Sequence, residues 1–175
     1  KKEMKRSLEE SQTGRFAHYS HDPSDPTSLS NDQTRALYQD AAGILWIGTF
    51  GGGLNRLDRS TGQYNHYLHD PADPTSLGGN NVMALRQDPG GDLWVALLDG
   101  GLDRLDRAMG TFAHYPTGPI TALHLDGAGV LWIGTPGAGL GRLDTRQEVG
   151  PDGAEILYSV SAPTATHSPR DHLIT

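Results

Sequence analysis

The chain has 175 residues, enough for one domain, with a formal net charge of −7 and no cysteine. An acidic chain without a basic tract is a poor match for nucleic acid, whose phosphates require clustered cations. Without cysteine there are no disulfides, thiolate metal sites or cysteine nucleophiles, and no apolar run reaches the roughly 20 residues of a membrane span. Glycine (23) and proline (11) are the loudest counts, and among the acids Asp far outnumbers Glu. Many turns between short strands is the simplest reading of such a composition.

The opening segment 1–12 (KKEMKRSLEESQ) is charged where a secretion signal needs an apolar centre, and it reads as a helix or extension with Met4 and Leu8 one turn apart. From residue 13 the chain repeats itself. Residues 13–60 align with 61–108 without a gap and are identical at 26 of 48 positions. A third copy starts at Gly110, replaces the long His-Asp-Pro-Ala-Asp-Pro-Thr-Ser-Leu stretch by Pro116–Pro119, and resumes from Ile120. Trp46, Trp94 and Trp132 mark the three copies.

Each copy reads as four short strands. In the second they are expected over Val82–Gln87, Asp92–Leu97, Gly101–Asp106 and Thr111–Tyr115, joined by Asp- and Gly-rich turns. The second strands, Leu-Trp-Ile or Leu-Trp-Val, are continuously apolar, the pattern of a strand covered on both faces. Four-stranded units at this period, stacked face to face around an axis, are propeller blades. The expected fold is therefore all-β: three four-stranded antiparallel blades over 31–67, 79–115 and 119–160, within a repeat region 13–160. An extra N-terminal strand over Phe16–Ser20 matches the fourth strand of a blade, and Ile156–Val160 supplies the last strand of blade three. Residues 161–175 read as a tail.

Asp-x-x-Gly-x-Leu-Trp-Ile-Gly-Thr followed by Gly-Gly-Gly-Leu-Asn-Arg-Leu-Asp resembles the two-component regulator propeller repeat. The resemblance covers roughly 13–145. It implies a sensor domain from the periplasmic or extracellular part of a bacterial hybrid histidine kinase, which takes small, often carbohydrate, ligands. Only three repeats occur, without a kinase, a membrane segment or a regulator segment. Propellers close with roughly four to eight blades, so two explanations stand. Either the remaining blades belong to a longer receptor, or the chain is a homo-oligomer, a dimer closing a six-bladed ring, in which Phe16–Ser20 could complete the partner's last blade.

Chemistry is sought where the copies disagree. The connections between second and third strands share one rim with those entering the first strands, and these loops vary most. Asn31, Asp32, Phe50, Asn80, Asn81 and Asp99 suit a small polar, carbohydrate-like ligand, offering amides and carboxylates for hydroxyls and one stacking ring. Asp22, Asp25, Asp70 and Asp73 read as turn formers in a crossing loop, since each copy offers too few carboxylates for calcium. His18 with His21, and His66 with His69, lack a third ligand at matching spacing for zinc. No metal or cofactor is expected. Arg56, Arg104 and Arg142 recur in the third strands and are expected to pair with Asp40, Asp88 and Asp126 at the first turns. The chain reads as a non-enzymatic binding module; a non-catalytic assembly scaffold is one alternative and a propeller lyase another. Lyases of similar blade type use a His with a Glu-bound metal, and all Glu here (Glu3, Glu9, Glu10, Glu148, Glu155) lie outside residues 11–147.

Overall fold

The structure, a computed structural model, describes residues 17–146 and 157–159; the expected N-terminal helix and C-terminal tail lie outside them. The described residues contain strands and turns and no helix. Blade one comprises β1 (Thr34–Gln39), β2 (Leu45–Thr49), β3 (Leu54–Asp58) and β4 (Gln63–Tyr67). Blade two comprises β5 (Val82–Gln87), β6 (Leu93–Leu97), β7 (Gly101–Asp106) and β8 (Thr111–Tyr115). Blade three comprises β9 (Ala122–Leu125), β10 (Val130–Gly134), β11 (Leu140–Asp144) and β12 (Leu157–Ser159). Each is an antiparallel meander of four strands in sequence order.

The local chemistry explains the hairpins. Asp40 Oδ1 accepts from the backbone N–H of Ala42 (3.0 Å) and Ile44 (2.9 Å), closing the β1–β2 turn, and Gly43 supplies its positive φ of 82°. The other carboxylate oxygen accepts the Trp46 indole N–H at 2.9 Å. Asp88 holds Trp94 at 2.8 Å and Asp126 holds Trp132 at 2.9 Å in the same way. This corrects the partner of the expected intrablade Arg–Asp pair, not its existence in blade two. The turn acid is spent on the indole, a donor already aligned with it, and Arg104 lies instead 3.7 Å from Asp92 and over the Trp94 ring.

Alternation along the second strands welds the blades together. In β6, Leu93, Val95 and Leu97 enter the core shared with blade one, while Trp94 and Ala96 enter the core shared with blade three. The blades approach so closely that a Cβ on Gly48 would stand 2.4 Å from Val82 Cγ1, which accounts for glycine there. Arg107, from the β7–β8 turn, crosses the first junction to bond Asp40 and to lie 5.7 Å over the Trp46 ring. Tyr67 packs on Trp46 at 5.9 Å and on Phe112 at 5.8 Å, so aromatic contacts continue across the junction.

The described part of the expected N-terminal strand, 17–20, carries no strand pairing, and Phe16 lies outside the described residues. A β-strand exists only beside a hydrogen-bonded neighbour, and no strand pairs with this segment among the described residues. The segment leads into the crossing loop 21–29, a run of nested turns. Asp22 accepts from Ser24, Asp25 from Thr27, and the ring of His21 bonds Leu29 O at 2.8 Å. The second loop repeats this with Asp70, Asp73 and a His69–Leu77 O bond of 2.8 Å. The acids and histidines of both loops thus build the crossing between blades.

Candidate ligand-binding rim

The two crossing loops end at the upper rim, and buried polar residues of the third strands anchor them. Asn55, fully buried, accepts the Ser30 N–H at 3.0 Å and donates to Ser30 Oγ at 2.8 Å. One repeat later Asp103, also fully buried, accepts the Gly78 N–H at 2.7 Å and bonds His114 Nδ1 at 2.8 Å, while His114 Nε2 reaches Pro74 O at 3.0 Å. Burial raises the Asp103 carboxyl above the ordinary carboxylate value, against the pull of its bonds to His114 and Gly78. Burial works to lower His114, but the bond to Asp103 and its charge outweigh it and hold the imidazole above its usual value. The pair therefore keeps a shared proton to higher pH than a solvated histidine.

Four of the six sequence-derived candidates come together above this anchor. Asp99 accepts from the backbone of Asn80 and Asn81, both at 3.2 Å, and from Asn81 Nδ2 at 2.8 Å. Asn81 forms a bridge with Phe50 of blade one. The Asn80 carbonyl accepts from Gly51 and Gly53, both at 3.0 Å, tying the two blades at the rim. The Phe50 ring lies under the Arg35 guanidinium at 5.6 Å. Phe50, Asn80, Asn81 and Asp99 thus form one cluster across the first blade junction. Asn31 borders it, because a Cβ on Gly52 would stand 2.6 Å from Asn31 Cβ, and its Oδ1 accepts from Gln33 at 2.8 Å.

Asp32 does not join the cluster. Its carboxylate accepts the His21 N–H at 2.7 Å, as Asn80 Oδ1 accepts that of His69 at 2.9 Å. This position therefore locks the crossing loop in both copies, and the requirement is an acceptor, which Asp and Asn both satisfy. The reading by residue type missed that role, although the spacing of 11 from each His was visible. It also passed over Asn55 and Asp103, whose signal was a polar residue next to the same leucine of the third strand in both copies.

A second feature went unforeseen. Beside Gly51 and Gly52 the crossing loop leaves a cleft of about 290 Å³, bordered by His21, Asp25, Ser30, His66 and Leu68. Its volume is close to the lower end of small-ligand pockets. Rim and cleft together gather carboxylates, amides, an aromatic ring and a guanidinium, most of them already bonded to one another or to the loops they hold. Among the described residues, no group of three or more His, Asp or Glu is placed to hold a metal ion.

Residues 28–51 and 114–137 match the family model described as the two-component regulator propeller. In these two stretches the chain is similar to that family. The structure is similar to the extracellular domain of a proposed hybrid two-component system from B. thetaiotaomicron, with a TM-score of 0.69 and 26% identity over 82% of this chain. It is also similar to the extracellular domain of a second system from that organism, described as a one-component system, at a TM-score of 0.58 and 24% identity over 82% of this chain. The chain spans only 21% and 27% of the length of those two structures. No curated relative matches the chain.

Proposed function

We propose that these blades belong to a ligand-binding sensor module on the extracellular or periplasmic side of a two-component system, and that the upper rim reads a small, polar, carbohydrate-like ligand without catalysing its conversion. The observation that carries this reading is the contrast between the two rims. On the lower one, three Asp–Trp turns repeat unchanged. On the upper one, Phe50, Asn80, Asn81 and Asp99 gather at a junction where the copies differ. The likeness to extracellular domains of signalling systems supports the same reading. A scaffold held constant beneath a varied rim is how a fold is adapted to a ligand.

The test is a panel of mono- and oligosaccharides in a thermal-shift assay, followed by calorimetric titration of any hit. A ligand held only by the folded state raises the melting temperature by mass action. Asn80→Asp is the informative variant. It keeps the acceptor that anchors His69, as Asp32 does in copy one, while it removes the amide donor and adds a negative charge near Asp99. Asn80→Asp and Phe50→Ala are expected to fold normally and to weaken binding about tenfold or more, the loss of one to two net hydrogen bonds or a stacked ring. No shift with any sugar, or full affinity in both variants, refutes the rim. Recovery of altered sugar after long incubation refutes the non-catalytic part.

A further inference from the structure

The arc of three blades ends in two different apolar faces, and the chain contains two working examples of how such faces join. At one end, Leu37, Ile47 and Tyr64 occupy the register positions that Leu85, Val95 and Phe112 occupy one repeat later. The later set is buried against the Trp46 face of blade one. The earlier set lines an apolar groove of about 480 Å³. At the other end, Trp132 stands where Trp46 and Trp94 stand, but half-buried, and Leu140 is exposed where Leu54 and Leu102 are buried.

Two details make the ends complementary beyond being apolar. Arg107 clamps Asp40 and Trp46 across the first junction. Its equivalent in blade one is Arg59, which is exposed, borders the groove and has no ion-pair partner among the described residues. The matching receiver, Asp126 holding the Trp132 indole, sits at the far end; Arg146 lies near enough to act on it through its charge but is bonded to Asp144, and no guanidinium among the described residues bonds Asp126 as Arg107 bonds Asp40. In blade three the arginine position is Thr145.

The second detail is a tyrosine. Tyr67 and Tyr115 cover Trp46 and Trp94 at 5.9 and 5.2 Å, and they pair in register with Leu54 and Leu102. In blade three that register position, opposite Leu140, is Ser159. The tyrosine missing there is present at the other end: Tyr19, one repeat before Tyr67, lines the groove together with Tyr64.

We infer that blade three of a second copy of this chain occupies the blade-one groove, with Arg59 closing on Asp126 and Trp132 of that copy and Tyr19 packing against the same tryptophan. The contact is head to tail, so it closes only if the rotation per blade returns to its start. Two copies supply six blades, inside the range at which propellers close. The inference does not rest on the ligand reading, since association is measured with no ligand present.

Light scattering after size exclusion, over a wide concentration range, is expected to give twice the 18.8 kDa chain mass. Leu37→Lys places a charge in the groove at an exposed site, and Arg59→Glu reverses the clamp. Both are expected to return the mass to one chain while leaving the circular dichroism unchanged. Thr34 and Ala122 are the counterparts of Val82 and Ala36, which meet at the first junction. Because the chain has no cysteine, Thr34→Cys combined with Ala122→Cys is expected to oxidise to a covalent two-chain species. A single-chain mass at every concentration overturns the inference and assigns the groove to other blades of a longer protein. An unchanged mass in Leu37→Lys overturns it too, and a ladder of longer disulfide-linked species overturns closure by two copies.

Discussion

Blade one and blade two are nearly the same sequence in different surroundings. Leu85 is 1% exposed and its counterpart Leu37 is 66% exposed, though both sit at the same place in the same strand. Blade two has a neighbour on each side; blade one has a described neighbour on one side only. The residue's environment is thus set by what the next sheet brings. The sequence of a blade specifies both its apolar faces, and stacking decides which of them stabilises the fold.

The largest effect that sharpens this contrast is expected at the tryptophans. Trp94→Ala should cost about 3–5 kcal/mol in urea unfolding, because the ring is buried and its Asp88 acceptor would be left without its donor. Trp132→Ala, measured on the single chain, should cost less than half of that, its ring being half-exposed there. Next come the leucines: Leu85→Ala should cost about 2–5 kcal/mol. Leu37→Ala, measured on the single chain, should stay within about 0.5 kcal/mol. Equal losses at the two positions would show that blade one is covered even in the monomer. The arginines should differ less. Arg107→Ala removes a charged bond to buried Asp40 and should cost about 1–3 kcal/mol, whereas Arg59→Ala should leave the single chain's unfolding midpoint unchanged.

The smallest effect is the pH dependence of the crossing loops. His114 holds its proton above the ordinary histidine value of 6.5. Its contribution is therefore full below about pH 6.5 and is lost as pH rises through the higher folded value. Blade one has no such pair, since Asn55 stands in the Asp103 position. Denaturation at pH 6 and pH 8 should show the chain more stable at the lower pH, and His114→Gln should flatten the difference. A difference that survives in His114→Gln would place the titrating group elsewhere.

The repeat made the fold legible. Strands expected over Val82–Gln87 and Thr111–Tyr115 match those observed, and the second differs from Asp92–Leu97 by a single residue, because the Asp92 N–H bonds Asp88 in the turn. Pattern sufficed there because the period of two and the turn chemistry are local. Partners were harder. Arg104 and Asp88 recur in step, which suggested a pair, yet recurrence gives position along the strand and says nothing of which neighbour reaches the carboxylate first. The rim was legible in part. Phe50, Asn80, Asn81 and Asp99 share a loop cluster, but only three-dimensional placement shows that Asp32 is used to hold His21. The cleft beside Gly51 was invisible because its walls come from segments read as structural.

The Asp–Trp turn also turns the three tryptophans into separate reporters. All three indoles donate to a carboxylate; Trp46 and Trp94 also lie under a guanidinium, and Trp132 differs from both in its contact with water. Trp46 and Trp94 are shielded, so the red edge of the chain's fluorescence emission belongs to Trp132, whose ring faces the end of the arc. Acrylamide should quench that fraction first. Any event that covers the last blade will be read as a blue shift from one residue, without a label.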